Sequence, residues 1–343
     1  MAAAYVNTAL VADVAGAASH TDANLVNGWG LAFNPAGFAW VSDQGTSKST
    51  LYDGNGVLQS PVVNIPKSAG GVGGPTGIVT NTGSAFTLSV TSSGGVDQYG
   101  YPIPGGTTQV PALFIFDTVG GTISAWSASD DPNNAILEYD SGGTAVYTGL
   151  AILTGSTNRL YAADFKNNKI DVFDGNFAKT TVTGTFNDPN IPAGYSTFNI
   201  QAINGQLFVT YAQVDTTNGR EKVGAGLGYV DIFDSNGALV KRLISNGALN
   251  APWGVVMAPA GFGTFSGDLL VGNFGDGTIN AYDPSTGAMI GTIKDGSGTT
   301  FAVPGLWGIA FGNGINSLPT TTLFYAAGTS GETHGVFGRI DFK

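Results

Sequence analysis

Cysteine is absent from the sequence, which excludes disulfide bonds and thiolate chemistry and suits either a cytosolic chain or an exported bacterial one that avoids thiols. Charge is scarce as well: 11% of residues are charged, and 13 Lys and Arg stand against 24 Asp and Glu, a net charge of −11. The first basic residue is Lys48. No basic patch is there to neutralise phosphates, so nucleic acid is not an expected partner. No run of about 18 apolar residues occurs, and no membrane span is expected. Residues 1–19 hold no Lys or Arg, so the charged first segment of a signal peptide is missing. Met1 ahead of Ala2, Ala3, Ala4 and Tyr5 reads as an initiator placed on a trimmed mature protein. The expectation is a secreted monomer, extracellular or periplasmic, whose leader has been removed.

What is abundant is glycine, 53 residues of it, together with 42% hydrophobic residues. Without a G-x-y period, that much glycine points to many turns between short strands rather than to collagen. Residues 250–283, NAPWGVVMAPAGFGTFSGDLLVGNFGDGTINAYD, show the unit: an apolar run opened by Pro252, Trp253 and Gly254, an alternating run from Asp268 to Gly272, a glycine-rich turn, and a third run ending at Asp283. Imperfect copies recur, and short strands joined by turns at this spacing predict four-stranded antiparallel blades. Opening positions Gly30, Gly77, Gly149, Ile200, Gly254 and Gly308 lie 47, 72, 51, 54 and 54 residues apart. Six units therefore tile the chain, approximately 27–66, 75–140, 147–187, 198–245, 252–294 and 306–342. The long second interval contains an excursion, residues 84–110, and the fourth unit contains a polar insertion, residues 212–228. The last unit runs out after three strands while residues 4–12 form an orphan strand. Pairing the two closes the ring and leaves no sheet edge over. The reading is all-β: one six-bladed β-propeller domain over residues 1–343, closed by the N-terminal strand.

Several long motifs in fixed order, NGWGLAFNPAGFAWVSDQG, FNIQAINGQLFVTYA, LLVGNFGDGTINAYD and GLWGIAFGNG, resemble those of a largely uncharacterised secreted family of six-bladed propellers found in bacteria and fungi. The resemblance covers residues 5–342 and implies export and six blades. It carries over no catalytic residue.

Chemistry is sparser. Asp43, Asp117, Asp164 and Asn273 fall just after the second strand of four blades, and four oxygen-bearing side chains at one end of a ring would suit an axial calcium ion or another divalent cation. The alternative is that each caps its own hairpin turn. Asp53, Asp174, Asp234 and Asp283 each precede a turn and read as turn caps. Trp29, Trp253 and Trp307, with Asn199 and Gln201 in blade four, lie on inner strands near one channel mouth, where aromatics stack a ligand or else pack between blades. His20 and His334 are the two histidines, expected on adjacent blades and available as general bases, or simply solvated in polar loops. Tyr99 and Tyr101 in the first insertion are candidates for sugar recognition, and the second insertion carries Asp215, Arg220, Glu221 and Lys222. The glycine-rich segment 68–74 lacks the strand, lysine and helix of a phosphate loop, so no nucleotide cofactor is expected.

Two functions follow. One is a metal-assisted lactonase, hydrolase or lyase acting on a small molecule or glycan at the channel mouth. The other is a non-catalytic extracellular module binding a glycan or a protein partner.

Overall fold

The computed structural model describes residues 4–92, 94–96, 98–103 and 105–343. Six antiparallel sheets stand around one axis, each threaded from the inside outwards. Blade one is Gly28–Phe33, Ala39–Asp43, Lys48–Tyr52 and Leu58–Asn64. Blade two is Pro75–Thr80, Phe114–Thr118, Thr122–Trp126 and Ile136–Asp140, and blade three is Tyr147–Leu153, Arg159–Asp164, Lys169–Asp174 and Lys179–Thr180. Blade four is Tyr195–Ile203, Gln206–Val214, Tyr229–Phe233 and Leu239–Ser245; blade five is Pro252–Met257, Leu269–Asn273, Ile279–Tyr282 and Met289–Thr292. Blade six takes Leu306–Phe311, Leu323–Gly328 and His334–Phe342 from the end of the chain, and its fourth strand is Tyr5–Ala12. The N-terminal strand thus closes the ring, and a short fifth strand, His20–Thr21, pairs with it in parallel. The first inner strand touches the second, and so on round to the sixth, which touches the first.

The twist of each sheet lets its two faces bury apolar residues against both neighbours. Accordingly, a separate hydrophobic cluster fills each of the six inter-blade gaps. The closing strand is held in one of them by Tyr5, whose ring lies 5.1 Å from Phe262, 5.7 Å from Phe265 and 5.0 Å from Phe342, and whose hydroxyl donates to the Phe262 carbonyl. A seventh cluster sits on the axis: Trp29, Phe165, Phe198, Trp253 and Trp307 with Ala212 and Ala251.

The close approach of inner strands dictates glycine at their centres. A Cβ on Gly30 would stand 2.3 Å from the Thr76 carbonyl oxygen, and one on Gly308 would stand 2.7 Å from that of Trp29. In blade four the residue in this slot is Asn199, one place before the expected Ile200. Asn199 fills it and donates from Nδ2 to the Trp253 carbonyl at 2.8 Å, while Ile200 turns into the gap between blades three and four. The bulge at Thr197/Asn199 is one that every inner strand carries, so Asn199, and not Ile200, stands where the other blades have glycine.

The first insertion is a hairpin of Thr87–Ser92 and Gly106–Pro111, tipped by Gly95–Val96 and Pro102–Ile103. It leaves the end of blade two that lies opposite the channel mouth described below. The second insertion adds Glu221–Lys222 to the edge of Gln206–Val214 and leans over that mouth. Among the described residues, no helix is long and apolar enough to cross a membrane.

Candidate functional site at the axial mouth

The end of the ring where inner strands begin carries the blade-to-blade connections, and there the axis opens into a cavity of about 390 Å³. Its floor is the axial aromatic cluster. Trp29 stacks on Trp307 with centroids 3.6 Å apart, and Trp253 meets both edge-on. Two of the three indoles are satisfied: Trp253 Nε1 donates to the Thr148 carbonyl at 2.7 Å and Trp307 Nε1 to Asn27 Oδ1 at 3.0 Å. Trp29 Nε1 is buried without a partner, although Trp29 lines the cavity and is 3% exposed. A buried indole N–H with no acceptor costs on the order of 1–3 kcal/mol, so this donor is left unsatisfied beneath the cavity.

One wall is apolar, made of Val72, Val119, Val146 and Phe165 from the side of blades two and three. The opposite wall is charged. Arg220, from the second insertion, directs Nη2 to Glu332 Oε1 at 2.6 Å and to Glu221 Oε1 at 2.8 Å, so one guanidinium nitrogen holds two carboxylates. Burial pushes the Glu221 carboxyl above its usual range, against the pull of the Arg220 charge. Glu332 Oε2 accepts from Asn27 Nδ2 at 3.1 Å, and that amide also donates to Gln44 Oε1 at 3.1 Å. Blade four's insertion, blade six's last loop and blade one's entry are thereby tied into one network that ends on Trp307.

The backbone that presents Glu332 is unusual. Ser330, Gly331 and Glu332 have φ of 54°, 66° and 69°, three successive residues in the left-handed region, and Glu332 pays the usual steric cost of an L-residue there. Such a conformation persists where surrounding contacts over-determine it, here the links to Arg220 and Asn27, and it is characteristic of functional loops.

The candidate residues read from sequence meet different fates. Trp29 lines the mouth, whereas Trp253 lines only a constriction of about 20 Å³ further down the axis and Trp307 is wholly buried. Together the three tryptophans plug the axis, and of them Trp29 alone lines its mouth. Asn199 is spent on Trp253, and Gln201 faces the constriction and the lower pit, a depression of about 260 Å³ at the far end. Tyr99 and Tyr101, 76% and 69% exposed, belong to the hairpin at that far end and do not line the mouth. His20 lies in the fifth strand of blade six rather than ahead of blade one, with Nδ1 3.4 Å from the Leu10 carbonyl. His334 opens the third strand of the same blade, Nδ1 2.8 Å from Asp13 Oδ2. Both histidines sit on outer strands of one blade, not on adjacent blades, and neither lines the mouth.

The four side chains expected around an axial cation do not converge. Among the described residues no three His, Asp or Glu side chains are grouped as a metal would need. Asp43, Asp164 and Asn273 are equivalent, opposite Gly28, Tyr147 and Pro252, but in blade two that place, opposite Pro75, is Thr118. Asp117 stands one residue earlier, so strand alternation turns it the other way, where Oδ1 accepts from Thr76 Oγ1 at 2.7 Å and from the Gly77 N–H. Burial pushes its carboxyl up to about 7. Asp164 accepts from the Val146 N–H and Asn167, and Asn273 bridges the Asn250 N–H and the Ala248 carbonyl. Asp43 is buried with neither oxygen hydrogen-bonded, and burial, with the Asp22 charge adding to it, raises its carboxyl well above the carboxylate range. These groups brace strand ends; the donor set does not fit an axial divalent ion. Asp53, Asp174, Asp234 and Asp283 do cap their own turns, each accepting two or more backbone N–H bonds.

Arg220 and Glu221 lie in the insertion singled out from sequence, while Glu332, Asn27 and Gln44 had no local signal. Glu332 differs from a loop glutamate only through its backbone, which the neighbouring Gly331 hints at.

No family model matches the chain. Uncharacterized protein R648 of Acanthamoeba polyphaga mimivirus is 34% identical over 343 residues, covering 96% of this chain and 78% of that protein. Uncharacterized protein L690 of the same virus is 31% identical over 336 residues, covering 94% of this chain and 82% of that protein. Among solved structures, the soluble aldose sugar dehydrogenase of Escherichia coli in its apo form superposes with a TM-score of 0.57 at 13% identity, over 99% of this chain and 100% of that one. A glucose dehydrogenase gives 0.55 at 11% identity, over 97% and 98%. Likeness at such identity is likeness of fold.

Proposed function

This chain belongs to the family of the mimivirus uncharacterized proteins R648 and L690, and we propose that within that family's frame it binds a small organic molecule at the axial mouth of the propeller. The observation that carries the reading is the unpartnered Trp29 N–H, buried at the floor of a cavity of about 390 Å³ whose rim is a strained, ion-paired glutamate. Cavities of this size with apolar walls and a few convergent polar groups are the usual form of ligand sites. The ligand would accept a hydrogen bond from Trp29, lie against Phe165 and the valines, and present its polar end to Arg220, Glu221 and Glu332.

Intrinsic tryptophan fluorescence tests this directly, because Trp29 is in the floor. A fragment library that includes saccharides, lactones and esters should contain saturable quenchers, and Trp29→Phe, which keeps an aromatic ring but removes the N–H donor, should weaken a hit about tenfold. A library with no saturable hit, or hits indifferent to Trp29→Phe, defeats the reading.

A hydrolase or lyase activity at the same mouth has one specific support. Two carboxyl groups share one guanidinium, and burial raises that of Glu221, the kind of asymmetry that separates a proton donor from an acceptor. If hits are turned over, Glu221→Gln should abolish turnover while leaving binding within a few-fold; loss of both together would make Glu221 a binding residue only.

A further inference from the structure

The charges around the mouth do not balance. Its lining contains one cation, Arg220, and two anions, Glu221 and Glu332, and every other lining residue is neutral. The one guanidinium nitrogen that faces the carboxylates is shared by both, so the wall keeps a surplus negative charge next to an aromatic floor of Trp29 and Phe165. The whole protein adds to it with a net charge of −11. A cleft of one sign with low-dielectric walls focuses the field and concentrates counter-charged ligands, and aromatic faces attract cations further. An anionic ligand that took Arg220 from either carboxylate would leave that carboxylate unpaired.

Resting on the reading of the mouth as a ligand site, we infer that its ligand is a small amphipathic amine: a cationic head for the glutamates, an apolar body for the valine and phenylalanine wall, and an oxygen acceptor for the Trp29 N–H. The division of the cavity matches such a molecule end for end, since the charged residues come from blades four and six and the apolar ones from the opposite side. Burial holds the Glu221 carboxyl above its usual range, and an arriving cation favours its ionised form.

Three isosteric probes decide it: 4-methoxybenzylamine, 4-methoxybenzyl alcohol and 4-methoxybenzoate, titrated against the full chain by calorimetry at neutral pH and low salt. The amine should bind at least about tenfold more tightly than the alcohol and the benzoate most weakly, with the amine's advantage shrinking as salt is raised. Glu332→Gln should cut the amine's advantage over the alcohol severalfold, whereas Trp29→Phe should weaken amine and alcohol alike through the shared methoxy oxygen. Should Glu332→Gln disturb folding, as judged by circular dichroism, Glu221→Gln serves for the same comparison. Equal or better binding of the alcohol or the benzoate overturns the amine assignment and leaves the mouth as a ligand site. Failure of all three probes to bind also overturns it, and the fragment screen then judges the mouth on its own.

Discussion

At the scale of single residues, the chain carries several carboxyl groups whose burial is only partly repaid. Asp231, in the third strand of blade four, is fully buried with neither oxygen hydrogen-bonded. Its nearest cation is Arg242, whose Nε stands 3.7 Å away and whose Nη2 is engaged by Asp188. Burial, reinforced by the Asp188 charge and opposed by Arg242, pushes the Asp231 carboxyl up to about 7. Asp117 reaches about 7 through burial alone against its hydrogen bonds. The linkage has one sign: a carboxyl whose folded value exceeds its unfolded value near 4 binds its proton more tightly when folded, so stability is greatest in acid and falls as pH rises from about 4 to about 7, then levels. Asp231→Asn should therefore raise the melting temperature at pH 7.5, with a gain on the order of a few kcal/mol, and should do little at pH 4.5. Equal effects at the two pH values would mean that Asp231 acts through packing and not through its charge. Asp171 in blade three shows the contrast, because Lys169 and Lys179, at 2.9 and 2.7 Å, hold its carboxyl below the usual range despite its burial.

At the scale of the strand, two features decide the rest. The first is closure by Tyr5–Ala12, which pairs along its length with His334–Phe342 and drops Tyr5 into the cluster between blades five and six. Tyr5→Ala removes a buried ring and a satisfied hydroxyl, and should cost about 3 kcal/mol in chemical denaturation, with blade six losing amide protection first. Uniform loss of protection around the ring would show that the blades open together. The second feature is register. Blade number, strand order and the closing strand were all legible in the sequence, because turn signals and apolar alternation recur at each blade's length. Side-chain direction was less so. Strand side chains alternate with a period of two, so an alignment one residue out puts a side chain on the wrong face, as with Ile200 for Asn199 and Asp117 for Thr118. The mouth was the least legible part. Trp29 and the insertion bearing Arg220 and Glu221 stood out, but Glu332 is brought to them from 112 residues further on by the ring itself.

At the scale of the whole molecule, the axis is not a tunnel. The tryptophan cluster separates a charged upper cavity of about 390 Å³ from an uncharged lower pit of about 260 Å³, leaving a constriction of about 20 Å³ between them. Trp307 is the keystone, wholly buried and in ring contact with Trp29, Phe198, Trp253 and Phe274. Trp307→Ala should cost about 3–5 kcal/mol and join the upper cavity to the constriction. In that variant, acrylamide should quench Trp253 emission that is shielded in the parent; unchanged quenching would mean that neighbouring rings had collapsed into the gap.

The pairing of residues 5–12 with residues 336–342 also has a consequence for the order of events on the ribosome. Residues 5–12 are made before their partner strand, so blades one to five can stack as an open arc while this strand waits unpaired. Until residues 336–342 are made, a chaperone that holds extended segments has a target in residues 5–12.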